Sequence, residues 1–379
     1  MADTAISRVK SSTVLMVRGE MDHEAELKML LETYGTVDLA DSRGRTSLML
    51  CAYKGREASV AVLISHGADV GAADNAGRTP LMFSVVGGHV GCARLLLSHG
   101  SAVDAVSREG VTTLMLSSEK GNIECVRMVL AHGAGVDMRG SQGVTSLMLA
   151  CYNGHAAVVA LLLSHGADTN LANAHGVTSL MLCCHNGHHE CARLLLEHGT
   201  RVDAGACGQT ALILAAARGH LSTVQLLSIH GADRSINAPA LASAASKHPE
   251  TGAWMAASSD WITPLHHVSL LSAATTTRLL REGADLSARA RPGAPTPLQL
   301  AQELHTPCAT HAVASAAAIV LRASEGWSVA NHQLRPMPVR TRALELLRVG
   351  HLLASERRFE GCANALLDVW ISVVIPHAL

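Results

Sequence analysis

The feature that most constrains this chain is a period. Gly44-Arg45-Thr46-Ser47-Leu48 returns as Gly77-Arg78-Thr79-Pro80-Leu81 and Gly110-Val111-Thr112-Thr113-Leu114, then as Gly143-Val144-Thr145-Ser146-Leu147 and Gly176-Val177-Thr178-Ser179-Leu180. These threonines are 33 residues apart at every step, and Thr210, within Gly208-Gln209-Thr210-Ala211-Leu212, follows after 32. A second marker keeps the beat: His66-Gly67, His99-Gly100, His132-Gly133, His165-Gly166, His198-Gly199 and His230-Gly231. Two markers in fixed phase imply one small unit stacked on copies of itself, each too thin to bury its apolar face alone.

The chemistry within one period predicts two short helices and a turn. The threonine hydroxyl suits the cap of a first helix, and proline in a first turn sacrifices no helical hydrogen bond. Leu147 to Tyr152 forms that helix, with small Ala150 and Cys151 where neighbouring helices approach. Asn153-Gly154-His155 breaks the pair, Val158-Val159 and Leu161-Leu162-Leu163 supply a second apolar face, and Gly166 ends it before a projecting loop over 167–177. Composition agrees: 48% of residues are hydrophobic but only 2% aromatic, which suits thin, closely packed helices and argues against an aromatic-rich sandwich or barrel.

This pattern resembles the ankyrin repeat, whose signature Thr-Pro-Leu-His opens a pair of antiparallel helices. The resemblance implies an all-α fold, an ankyrin-repeat solenoid of stacked helix-turn-helix units with projecting loops, eight or nine repeats in all. One departure is consistent. The signature histidine is Met49, Met82, Met115, Met148 and Met181, then Ile213, and only His266 restores it. A thioether cannot replace imidazole hydrogen bonds, so weaker bonding between adjacent hairpins is expected.

Domain boundaries follow the phase. Residues 1–42 read as a degenerate capping repeat and 43–233 as six repeats. An insert over 234–262, with Pro239, Trp254 and Trp261, is expected to be irregular. Thr263-Pro264-Leu265-His266 and Thr296-Pro297-Leu298 open two further degenerate repeats over 263–325, and 326–379 reads as a C-terminal helical cap or docking extension.

Several chemistries compete with this reading. Cys183-Cys184-His185 with His188-His189-Glu190-Cys191 has the density of a zinc site, yet Cys183 and Cys184 occupy the phase of Ala150 and Cys151, and Cys191 that of Cys92 and Cys125. The serial histidines suggest a pH sensor, but one per period marks a structural helix end. No nucleophile elbow, phosphate loop or dinucleotide fingerprint is found. The expectation is no enzyme, no cofactor and no metal.

A formal net charge of -1 offers no field for gripping nucleic acid. No apolar run is long enough for a membrane span, and the ten cysteines are expected to be reduced, in the cytoplasm and also the nucleus. The expected partner is a protein, bound by a chain that is monomeric by itself. The resemblance places contacts at the loop tips and on the exposed face of the first helices. The tip candidates are Arg43, Asn75, Arg108, Glu109, Gln142 and His175; the helix-face candidates are Tyr53, Lys54, Glu119, Lys120, Tyr152, Asn153, His185, Asn186 and Arg218. The function expected is a protein–protein interaction scaffold or adaptor. The alternative is a substrate-recruiting subunit of a ubiquitin ligase, with the C-terminal helices as docking module.

Overall fold

The computed structural model describes residues 31–32, 37–206, 208–261, 263–304 and 311–324. The proposed N-terminal capping repeat is described only at 31–32 and 37–42, and the C-terminal extension over 326–379 lies outside the described residues. The chain divides into two compact units, one comprising residues 1–223 with 234–244, the other 224–233 with 245–379.

In the first unit each period yields two helices. The first helices are α1 (Ser47–Lys54), α3 (Pro80–Val86), α5 (Thr113–Lys120), α7 (Ser146–Asn153), α9 (Ser179–Asn186) and α11 (Ala211–Ala217). The second helices are α2 (Glu57–Ser65), α4 (Val90–Ser98), α6 (Ile123–Ala131), α8 (Ala156–Ser164) and α10 (His189–Glu197). First helices stack on first helices, and second on second. The only β pairing among the described residues beyond isolated bridges is minor: β1 (Gly205–Ala206) and β2 (Gln209–Thr210).

The local causes are those the period implies. Thr46, Thr79, Thr112, Thr145, Thr178 and Thr210 have extended backbones, and each hydroxyl accepts the amide hydrogen three residues on, at 3.2–3.4 Å. Such a cap is worth about 1 kcal/mol. Leu48, Leu81, Leu114, Leu147 and Leu180, with the five methionines beside them, are buried in the stack. Each buried leucine contributes roughly 1.5–3 kcal/mol of transfer free energy. Gly154 ends α7 at φ 76°, and an added Cβ there would lie 2.5 Å from the His188 ring. That ring donates from Nε2 to the Tyr152 carbonyl at 3.1 Å, satisfying an end-of-helix acceptor in the preceding unit. His155 and His220 repeat the contact on Glu119 and His185.

The second histidine series closes the second helices. His66, His99, His132, His165 and His198 each donate from Nδ1 to the carbonyl four residues back, at 2.8–2.9 Å. A carbonyl can only accept, so these bonds fix the tautomer. Bonding between hairpins survives loss of the signature histidine because the backbone supplies it. Asn75, Arg108 and Ala174 donate their amides to the carbonyls of Arg43, Ala76 and Gln142 in the preceding loop, at 2.7–2.9 Å. Asp38, Asp104 and Asp137 accept the amides of Asp69, Gly135 and Asp168, and Asn170 accepts that of Arg201.

The stretch 234–262 corrects an expectation of irregularity, since it carries helices α13 (Ala238–Ala245) and α14 (Pro249–Ala257). Its alanines are the strongest helix formers, and Pro249 occupies a first-turn position. α12 (Leu221–Ile229) precedes it.

In the second unit a 3-10 turn, Pro264–His267, precedes α15 (Ala273–Arg281), α16 (Pro297–Leu304) and α17 (His311–Ser324). Its core joins Leu265, Val268, Leu271 and Leu280 to Ala301, Ala316, Ala317 and Val320. Trp254 and Trp261 meet edge-to-face at 6.3 Å, and both pack on buried His267, at 5.9 and 5.1 Å.

Candidate functional site

Three successive loops and three successive first helices of the first unit enclose an open pocket of about 510 Å³. Leu50, Met82, Phe83, Val86 and Leu116 form its apolar floor on α1, α3 and α5. Arg43, Arg45 and Arg78 line the loop side, and Glu109, Glu119 and Lys120 line it in the third repeat of the pocket.

The arginines are held by a repeated turn. Asp41 accepts the amides of Arg43 and Arg45 on Oδ1, at 2.9 and 2.8 Å, and the Arg45 Nε on Oδ2 at 2.8 Å. One period later Asp74 accepts the amides of Ala76 and Arg78 on Oδ1, at 2.9 and 2.8 Å. Its Oδ2 takes Nε and Nη2 of Arg78, at 2.9 and 2.7 Å, in a two-pronged bond. Burial opposes ionisation of both carboxyls. The amide and guanidinium bonds outweigh it and hold both below the usual carboxylate range.

Aromatic rings connect these cations to the helices. The Arg78 guanidinium lies 5.0 Å from the Phe83 ring centre, Phe83 meets Tyr53 edge-to-face at 6.4 Å, and Lys54 Nζ lies 5.9 Å from the Tyr53 ring. Each cation lies over a ring, whose negative face attracts it. Tyr53 is 43% exposed and Tyr152 53%, so both tyrosines offer ring surface to solvent.

Apart from the exposed Tyr152, the sequence candidates separate into three groups. Arg43, Tyr53, Glu109, Glu119 and Lys120 converge on the pocket, and Lys54 borders it. Asn75, Gln142 and Asn186 are engaged in holding neighbouring units: the Asn75 and Asn186 amides donate to the Ser42 and Tyr152 carbonyls, and Gln142 adopts a positive φ with its carbonyl bound to Ala174. The Arg108 amide serves the same stacking, Asn153 bonds within α7, and His175 forms its own loop turn. A third group pairs His185 with Arg218, whose Nη2 reaches His185 Nε2 at 2.7 Å. Burial and then the Arg218 charge lower the His185 pKa, so a neutral imidazole accepts this bond.

Sequence reasoning missed Arg45, Arg78 and Phe83. The available signal was an aspartate four residues before an arginine, twice, 33 residues apart, together with one of the chain's two phenylalanines.

The cysteine-rich segment is core. Cys92, Cys125, Cys151, Cys183, Cys184 and Cys191 are buried free thiols. Burial pushes Cys92 and Cys125 up to about 11 and Cys191 to about 12. Burial opposes ionisation of Cys183, but hydrogen bonds from the Cys151 and Cys184 thiols lower its pKa, while burial and the bond to Cys183 raise those of its two donors. Among the described residues no three His, Cys, Asp or Glu side chains are grouped to hold a metal ion, and no helix is long and apolar enough to cross a membrane.

Paired helices capped by threonine, stacked in register and joined by projecting loops define an ankyrin solenoid. A family pattern described as ankyrin repeats (3 copies) matches residues 22–107, 70–140, 99–173 and 147–239. These matches span more than half of the sequence, and the chain belongs to the ankyrin-repeat family. No curated protein matches it. Among solved structures it is similar to the human ASB11 ankyrin repeat domain, with 28% identity over 50% of this chain and 86% of that one and a TM-score of 0.48. It is also similar to an ankyrin repeat domain from Acinetobacter baumannii AYE, with 32% identity over 49% of this chain and 98% of that one and a TM-score of 0.46. Ankyrin repeats mediate protein–protein contacts and are binding scaffolds rather than catalysts.

Proposed function

We propose that this chain is a scaffold or adaptor that binds a protein partner through the exposed face of its first helices and the adjoining loop tips. The observation that carries this reading is the placement of its exposed aromatics. Tyr53 and Tyr152 occupy the same position of α1 and α7, three periods apart, and both stand in solvent among mixed charges. Large exposed aromatics are enriched where interfaces concentrate their energy. Gln142, Asn75 and Arg108 help to fix the loops, so the tip surface is held in place before a partner arrives, and less ordering is needed on binding. The buried thiols suit a reducing compartment, and we place the chain in the cytoplasm, with access to the nucleus.

The test is affinity capture from native lysate by the full chain, by a Tyr53→Ala/Tyr152→Ala variant, and by a chain ending at Ala323, after circular dichroism shows all three folded. The expected result is a partner retained by the truncated chain and lost from the tyrosine variant. A partner lost on truncation and kept by the tyrosine variant would instead make residues 326–379 a docking module and put the ligase-subunit reading first.

A further inference from the structure

Within the scaffold reading, on which this rests, the pocket has a chemistry of its own. The loop turn that presents Arg45 and Arg78 does not require an arginine. At the same position of later periods Asn173 accepts the amides of His175 and Val177, at 2.9 and 3.0 Å, and Ser107 accepts that of Val111 at 3.1 Å. Val111, Val144 and Val177 stand where Arg45 and Arg78 stand, and the loops keep their course. The two arginines are therefore surplus to the fold, and both line the pocket.

Arg78 commits Nε and Nη2 to Asp74, which leaves donors on the fork for a second acceptor. Among the described residues Arg43 engages the loop through its backbone, by its amide to Asp41 and its carbonyl from Asn75, and the residue lines the pocket. Phe83 and Leu116 supply apolar surface to the same pocket, and Glu109, Glu119 and Lys120 line it in the third repeat.

We infer that this pocket recognises an extended segment of a partner protein carrying a carboxylate side chain followed closely by a leucine-sized or aromatic side chain. The carboxylate meets Arg43 and the open edge of Arg78, and the apolar side chain rests on Phe83 and Leu116. Three first helices side by side span roughly 16–20 Å at ordinary interhelical spacing. An extended chain crosses that distance in about five or six residues. That length accommodates an acidic residue for the arginines and, a few residues on, an apolar anchor for Phe83 and Leu116.

Random twelve-residue peptides displayed on phage and selected on the full chain test this directly. The expected selection is enriched in Asp or Glu two to three residues before Leu, Met or Phe. A synthetic peptide from it should bind Arg43→Glu about tenfold more weakly than wild type, a single charge-assisted contact. Exchanging the peptide's acid for lysine should reverse that preference, which a folding defect in the variant cannot do. Selection of nothing, selection without acids, or equal affinity for wild type and Arg43→Glu would overturn the inference. Displacement of the peptide by a single-stranded oligonucleotide of equal charge would also overturn it, because the cations would then read charge alone. Loss of lysate capture in the tyrosine variant, together with indifference to Arg43→Glu, removes this inference and leaves the scaffold reading standing.

Discussion

Two regions of the molecule begin alike and end differently. At Thr46, Thr112, Thr145 and Thr178 a capping threonine opens a helix of eight residues, although the signature histidine is a buried methionine. At Thr263 the signature is complete, yet Pro264–His267 is a 3-10 turn of four residues. There the His266 ring folds back on the cap: its Nδ1 lies 3.2 Å from the Thr263 amide and 2.8 Å from the Thr263 hydroxyl. What differs is the continuation. In the regular units a leucine and then a small residue follow the signature position, as at Leu50-Cys51, Leu149-Ala150 and Leu182-Cys183, whereas His267-Val268 follows His266. The bulky ring of His267 packs on two tryptophans, and β-branched Val268 is stiff in a helix. The signature nucleates a cap; the leucine-sized and small residues directly behind it let a helix extend against its neighbours.

Core truncation should give the largest effect in both regions. Leu147→Ala and Leu265→Ala remove side chains with at most 1% exposure and should each cost about 2–5 kcal/mol in chemical denaturation. A near-silent Leu265→Ala would show that the 3-10 turn is held by its polar cap rather than by apolar contact.

Glycine replacement comes next and probes the regular units alone. Gly154→Ala meets both a positive φ and the His188 ring, whereas Gly166→Ala, at φ 81° with nothing within 4 Å, meets only the first. The left-handed backbone alone costs about 1–2 kcal/mol. Gly154→Ala should therefore lower the melting temperature clearly further, and equal effects would mean that the ring contact yields without cost.

A smaller effect separates the regions by pH. Burial is the leading cause that lowers the His266 pKa, so the folded state holds it neutral below the ordinary value near 6.5, where the unfolded chain takes up a proton. Stability of that unit is expected to decline as pH falls from 6.5 toward the folded value. His266→Met should flatten this slope, measured by thermal melts between pH 5 and 7.5. An unchanged slope would assign it to other histidines. The smallest effect is Thr145→Ala, about 1 kcal/mol for the lost cap, read by the same denaturation.

Much of this was legible in the residues. The cap threonines, both histidine series and the buried cysteines follow from phase alone, because a position shared by every unit has one structural task. The same comparison concealed what is not shared. The Asp41–Arg45 and Asp74–Arg78 pairs occur in two units only, and their aromatic neighbour Phe83 replaces a leucine once. The bonds that join adjacent hairpins were not legible in the signature position, because they come from loop amides and from Asp38, Asp104 and Asp137. The helices over 238–257 were hidden because the insert breaks the 33-residue phase, although its alanines favour helix.

The most direct test of the central claim is hydrogen exchange with the captured partner bound. The account predicts slowed amide exchange in the loops at 41–45, 74–78 and 107–111 and in the adjoining first turns of α1, α3 and α5. Protection confined to the second helices, or to residues beyond 325, would contradict it.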